Sequence, residues 1–178
     1  MGWAGFQELY KRKDRFDIRL LARDSKKNRK LLAPYMSDPS VTVVWGDLMR
    51  YEDVLEGVTG ADYVLHVGGM VSPAADYYPE KTLKVNVGSA ENVVKAVLAQ
   101  ENASEIKVVY IGSVAQYGDR NPPHHWGCAS EPQIPAKYDM YALSKIQSEK
   151  IFAEAGLKNW VSLRQSGILY PGSLKVVN

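Results

Sequence analysis

The 178-residue sequence predicts an α/β fold built on a doubly wound parallel sheet. Short apolar runs rich in β-branched residues alternate with longer amphipathic segments, the pattern of successive β-α-β units. No internal repeat or low-complexity linker interrupts that alternation, so a single domain over residues 1–178 is expected.

The elements follow in order. Residues 1–13 read as a helix whose apolar side carries Trp3, Phe6, Leu9 and Tyr10. Ile18 to Ala22, Val41 to Trp45, Tyr63 to Val67, Val108 to Ile111 and Val161 to Leu163 are the strand candidates. From Pro79 to Ala99 a long helix is predicted, because Ala90, Val93, Val94, Val97 and Leu98 recur at the spacing of one apolar stripe. A second helix is predicted from Met140 to Ala155. Between Gly118 and Tyr138 there is no periodicity, and Pro122, Pro123, Pro132 and Pro135 exclude regular structure; a loop of that length inside a compact domain usually serves a site. Tyr170, Pro171 and Gly172 close a final strand and turn.

Composition narrows the function classes. A hydrophobic fraction of 46% and a charged fraction of 24% fit an ordinary globular domain, and a net charge of +2 supplies no whole-chain attraction to nucleic acid or membrane. The basic run from Lys11 to Lys30 reads as a solvated helix face; with Tyr10 and Phe16 as its aromatics it does not read as a nucleic-acid surface. No apolar run approaches the roughly 20 residues needed to span a bilayer, and no signal-peptide pattern opens the chain. A lone cysteine, Cys128, cannot form an internal disulfide, which fits a reducing cytoplasm. His124 and His125 with Cys128 lack the second ligand pair of a zinc site, so no metal is expected.

The residues that carry chemistry lie at one strand end and one helix start. Tyr141 and Lys145 are four apart, which on a helix places them on one face, one turn from each other. A phenol is a poor acid-base group near neutral pH, and an ammonium beside it favours the phenolate. Upstream, Val108 to Ile111 form a buried strand that delivers Ser113 at its C-terminal end, where open parallel sheets bind ligands. Such a serine can hold a hydroxyl or carbonyl oxygen while the tyrosine exchanges its proton.

The run Tyr110 to Gly118, a strand followed by Ser-x-x-x-Tyr-Gly, resembles the extended short-chain dehydrogenase/reductases, the group of nucleotide-sugar epimerases and dehydratases and dihydroflavonol-type reductases. Further landmarks stand in the same order: Gly46-Asp47-Leu48, His66 to Met70, Val85 to Ser89, Ser130-Glu131-Pro132 with Pro135, Tyr141 to Lys145, Leu163-Arg164 and Tyr170-Pro171-Gly172. The resemblance implies a Rossmann-like fold and an NAD(P)-dependent enzyme that transfers a hydride to or from a hydroxyl or carbonyl carbon of a small-molecule substrate. It implies Tyr141 as general acid/base, Lys145 as the group that lowers its pKa and binds the nicotinamide ribose, and Ser113 as the residue that positions the reacting oxygen. Asp47 and Leu48 would border the adenine, Val67, Gly68, Gly69 and Met70 would pass under the sugars and phosphates, and Asn86 would support the site. His66 is expected in the core. The long helix and the Tyr141 helix resemble those that pair between subunits of this family, which implies a homodimer.

Cofactor choice turns on Arg23 and Asp24, after the first strand candidate. An arginine there pairs with the 2′-phosphate of NADP, whereas an acid facing the ribose selects NAD; Arg23 favours NADP, with Lys26 or Lys27 as helpers. Two departures bear on substrate: Gly112 stands where many members have a second serine, and Gln165 follows Arg164 where proline is frequent. A larger departure is the cofactor fingerprint TGxxGxxG, which the chain does not contain. The sequence therefore reads as a piece whose first strand and Gly-rich loop, and whose C-terminal substrate region, are missing. A gap in mid-sheet, poor stability and weak dinucleotide binding are the expected consequences. The competing reading is a non-catalytic dinucleotide-binding protein or an inactive fragment.

Overall fold

A computed structural model describes residues 1–123 and 127–168. The expected turn at Tyr170 to Gly172 and the His124-His125 pair lie outside the described residues. Among the described residues five strands and six α-helices follow one another: α1 (Gly2–Tyr10), β1 (Ile18–Ala22), α2 (Lys26–Leu32), β2 (Val41–Trp45), α3 (Tyr51–Val58), β3 (Tyr63–His66), α4 (Ala74–Tyr77), α5 (Pro79–Leu98), β4 (Lys107–Ser113), α6 (Met140–Glu154) and β5 (Trp160–Gln165). The fold is α/β and Rossmann-like, with every strand pair parallel.

The strands divide into two sheets, β1-β2 and β3-β4-β5. Among the described residues no strand joins β1 to β3, so each keeps one edge without a ladder partner. β4 is the middle strand of the larger sheet, with Val108, Tyr110 and Ile111 buried. Pairing on both sides extends it beyond the predicted Val108 to Ile111, and the register of Ser113 with Gln165 extends β5 as well. β3 instead stops at His66, because the Val67 amide folds back to the Leu65 carbonyl at 3.1 Å.

Helices α5 and α6 pack on one face of β3-β4-β5 and enclose the larger core, in which Ala90, Val93, Val94 and Val97 meet Val108, Tyr110 and Phe152. Leu98, expected in this stripe, is 46% exposed; the buried face instead runs through Thr82, Asn86, Ser89 and Ala96, small and polar residues that an apolar count passes over. On the opposite face Tyr63, Leu65, Val161 and Leu163 are exposed. A smaller core of Phe6, Ile18, Leu32 and Val41 joins α1 to the β1-β2 sheet, with Phe6 edge-on to Tyr35 at 4.9 Å between ring centroids. α1 ends at Tyr10 rather than Lys13, and Arg12, Lys13 and Arg15 follow in turns. Among the described residues no helix is long and apolar enough to cross a membrane.

Candidate active site

Parallel pairing brings the ends of β1, β2, β3 and β4 to one edge of the two sheets, and the predicted site residues follow those ends. Ser113 is the last residue of β4 and N-caps a short 3-10 turn over Val114–Tyr117. Its Oγ accepts the Ala115 amide at 3.2 Å, and its own amide donates to Gln116 Oε1 at 2.8 Å. That reciprocal cap fixes the hydroxyl at the strand end with its proton still free to donate.

Asp139 N-caps α6 through the Ala142 amide, at 2.8 Å, so the helix starts on the turn that carries Tyr141. The Tyr141 phenol is half-buried beside Ser113, and the Lys145 ammonium lies 5.9 Å from its ring centroid. Lys145 is buried, and its Nζ donates to the Ile111 carbonyl at 2.8 Å, two residues before Ser113. Ser113, Tyr141 and Lys145 therefore converge on the C-terminal end of β4.

Burial raises the Tyr141 pKa above the ordinary phenol value; the Ser113 hydroxyl draws it down, and Asp139 adds to the rise. The Lys145 ammonium is directed at the Ile111 carbonyl. Burial lowers the pKa of Lys145 to about 8, because a desolvated ammonium is costly.

The remaining predicted residues form a chain of contacts along the same edge. Asp47 Oδ1 accepts the Met49 amide at 2.9 Å, and the Asp47 amide donates to Asp53. The Leu48 carbonyl accepts from Asn92 at 2.9 Å, and the Leu48 side chain lies against Gly68, where any Cβ would collide with it. Val67 to Met70 follow β3. Asn86 holds Met70 by both backbone groups, accepting its amide at 2.7 Å and donating to its carbonyl at 3.0 Å; it also donates to Ser144 Oγ at 2.8 Å. With its amide fully engaged, Asn86 is a positioning residue that ties the loop after β3 to α6. Arg23 extends beyond β1 with an exposed guanidinium, while Asp24 is held by Arg29 through Nε at 2.5 Å and Nη2 at 2.7 Å.

His66 lies in the core as expected, stacked on Tyr110 at 5.9 Å between centroids, with Ser89 Oγ 3.4 Å from Nε2. Burial, with Lys145 adding repulsion, pulls its pKa down to about 3. The neutral ring is thus compatible with folding above the unfolded value near 6.5. As pH falls from there toward 3, the unfolded state takes up a proton that the folded state refuses, and stability declines. Urea titrations over this window are expected to show a slope that is shallower by about one proton in His66→Phe.

Gln116, Glu149 and Arg164 were not assigned a role from sequence. Ser113-x-x-Gln116 is a capping-box spacing, and Glu149 lies one turn beyond Lys145 on α6, so both signals were present.

Residues 4–166 match the family model described as the NAD dependent epimerase/dehydratase family. The chain belongs to that family. Among relatives of this epimerase/dehydratase chain, a UDP-glucose 4-epimerase of Rickettsia canadensis is 32% identical over 91 residues, covering 51% of this chain and 26% of the relative. The dTDP-glucose 4,6-dehydratase of Bacillus anthracis, solved in complex with NAD, superposes with a TM-score of 0.71 at 15% identity, over 92% of this chain and 50% of that one. The UDP-Glc/GlcNAc 4-epimerase of Campylobacter jejuni gives 0.68 at 20% identity, over 83% and 45%. This member of the family spans about a quarter of the curated relatives it matches and about half of the solved structures.

Proposed function

We propose that this chain supplies the dinucleotide-binding and proton-transfer part of an NAD(P)-dependent enzyme that oxidises or reduces a hydroxyl-bearing carbon of a nucleotide-linked sugar or a related small molecule. The observation that carries the reading is the convergence of Ser113, Tyr141 and Lys145 at the end of β4. A bound nicotinamide would accept or donate the hydride.

The residues fit such a group along its nicotinamide and adenine ends. Gly68 and Gly69 present bare backbone: a Cβ at Gly69 would come within 2.9 Å of Asn86 Oδ1, so nothing larger than glycine fits there unless Asn86 moves. Lys145 would bind the nicotinamide ribose, Asp47 and Leu48 would border the adenine, and Val67 and Met70 would flank the glycines. In the reaction, the Ser113 hydroxyl donates to the substrate oxygen and holds it against Tyr141. Tyr141 Oη then takes the hydroxyl proton in oxidation and returns it in reduction. The Lys145 charge, turned from the Ile111 carbonyl toward a ligand, would favour the phenolate that burial otherwise disfavours. Pairing of α5 and α6 with a second copy would give a homodimer.

Cofactor preference follows from which charge is free. Arg29 occupies Asp24, which leaves the Arg23 guanidinium as the group available to a 2′-phosphate, so NADP is preferred and NAD remains usable. Arg23→Ala is expected to weaken NADPH binding by about tenfold or more, the scale of one charge-assisted hydrogen bond, and to leave NADH binding unchanged in a fluorescence titration.

The deciding experiment follows nicotinamide absorbance on mixing the protein with oxidised cofactor and a UDP-hexose, alongside a binding titration without sugar. Reduction of cofactor that needs Tyr141 supports the enzyme. Binding without reduction, the same in Tyr141→Phe, would favour the non-catalytic dinucleotide-binding protein.

A further inference from the structure

One buried carboxylate lies beneath the site with no part in the chemistry above. Glu149 Oε2 accepts Gln116 Nε2 at 3.0 Å and Ser162 Oγ at 2.7 Å. Glu149 Oε1 accepts Gln133 Nε2 at 3.1 Å, and the Arg164 guanidinium donates to both carboxylate oxygens through Nε. Glu149 is 6% exposed and Gln116 is fully buried, so these bonds form where water does not compete. Burial alone would raise the carboxyl pKa; Arg164, Gln116 and Ser162 outweigh it and hold the group ionised.

The partners of Glu149 reach in two directions. Toward the site, Gln116 carries on its other side the Ser113 amide at 2.8 Å, so the turn that fixes the serine rests on the carboxylate through one side chain. Toward the loop that opens at Gly118, Arg164 donates to the Ala129 carbonyl at 2.7 Å and to the Tyr117 hydroxyl, which itself donates to Ala129 at 3.2 Å. Gly112 leaves room for this arrangement: a Cβ there would lie 2.8 Å from Gln116 Oε1 and 2.9 Å from Ser162 Oγ. The first and last parts of the loop meet, since Gly118 has φ +66° and any Cβ there would meet the backbone of residues 134–136.

We infer that Glu149, held by Arg164, is a positioning residue that sets the Ser113 turn and the Ala129 to Gln133 stretch of the following loop together, so that the serine is in register with Tyr141 only when that stretch is fastened. The inference rests on the catalytic reading of Ser113, but the fastening itself can be measured on the folded chain without substrate. The two arms are separable. Gln116→Met cuts the arm to Ser113, Arg164→Lys weakens the arm to the loop, and Glu149→Gln removes the charge that supports both.

Amide exchange at Ser113 and Ala115 reads the first arm, and tryptic cleavage after Arg120 and Lys137 reads the second. Gln116→Met is expected to speed exchange at Ser113 about tenfold without faster loop cleavage; Arg164→Lys should do the reverse, and Glu149→Gln should do both. Amides of Val93 and Val97 in α5 should keep their rates in every variant. A merely structural role would move all amides by one factor, and that result, or an unchanged Ser113 in Glu149→Gln, overturns the inference. Should Glu149→Gln fail to fold, the two single-arm variants still decide it. In turnover assays Glu149→Gln should lower kcat and leave KM for the dinucleotide unchanged. If the unmodified chain binds cofactor but does not reduce it, the catalytic reading fails while the exchange pattern still judges the fastening.

Discussion

Tyr141→Phe is expected to lower turnover by about 10²- to 10⁴-fold, the usual contribution of a positioned acid-base group. The phenyl ring keeps its place, because Asp139 caps α6 and Ala142 and Ser144 bury the flanking turn independently of the hydroxyl. Only the proton path is lost. Dinucleotide affinity and melting temperature should therefore change little, and steady-state kinetics beside a thermal melt separate the two effects. The pH profile supplies a second readout. Because burial raises the phenol pKa in the free protein, the rate of oxidation, which needs phenolate, should climb with pH beyond the ordinary tyrosine range in kcat/KM. With Phe at position 141 that rise should disappear.

Phe152→Ala should cost about 3–5 kcal/mol of unfolding free energy, the range for deleting a large buried ring. Phe152 is fully buried, with centroids 4.9 Å from Tyr110, 6.0 Å from His66 and 6.0 Å from Trp160. It is where α6 touches all three strands of the larger sheet, since those partners stand on β4, β3 and β5. Collapse into the void would have to move a strand, so little relaxation is available. Typical domains hold about 5–15 kcal/mol in total, which makes this loss a large share. Urea denaturation is the measurement, and a midpoint shift too small for a loss of about 2 kcal/mol would contradict the packing described.

How far the sequence revealed this molecule differs by element. β1 and β2 were legible to the residue because each is a short, largely apolar run, broken only by Arg19 and Thr42, between Asp17 and Arg23 in one case and Ser40 and Gly46 in the other. The ends of β3, β4 and β5 were not, since they depend on which neighbour pairs where, and register is invisible in one chain. α5 was legible from its stripe, but its inward face uses Thr82, Asn86 and Ser89, which composition assigns to solvent. Helical spacing and a strand end made Ser113, Tyr141 and Lys145 candidates, and the resemblance to extended short-chain dehydrogenase/reductases implied their roles. Where the Lys145 ammonium would point could not be read. It depends on the Ile111 carbonyl, which comes within reach only once α6 packs on β4. The spacings of Gln116 and Glu149 were visible, but not their meeting with Arg164, since these partners come together only in three dimensions.

The break between β1 and β3 has a thermodynamic meaning beyond the site. Phe6, Ile18, Leu32 and Val41 are buried among themselves, and β1-β2 reach the rest chiefly through α3, by Leu21 and by Arg19 at the carbonyls of Glu56 and Thr59. With no ladder between β1 and β3 among the described residues, the smaller unit can melt while the α5-α6 unit stays intact. Denaturation is then expected in two steps, with probes in Trp3 and Trp160 reporting different transitions of one polypeptide and the effects of His66→Phe and Phe152→Ala falling on the step of the α5-α6 unit.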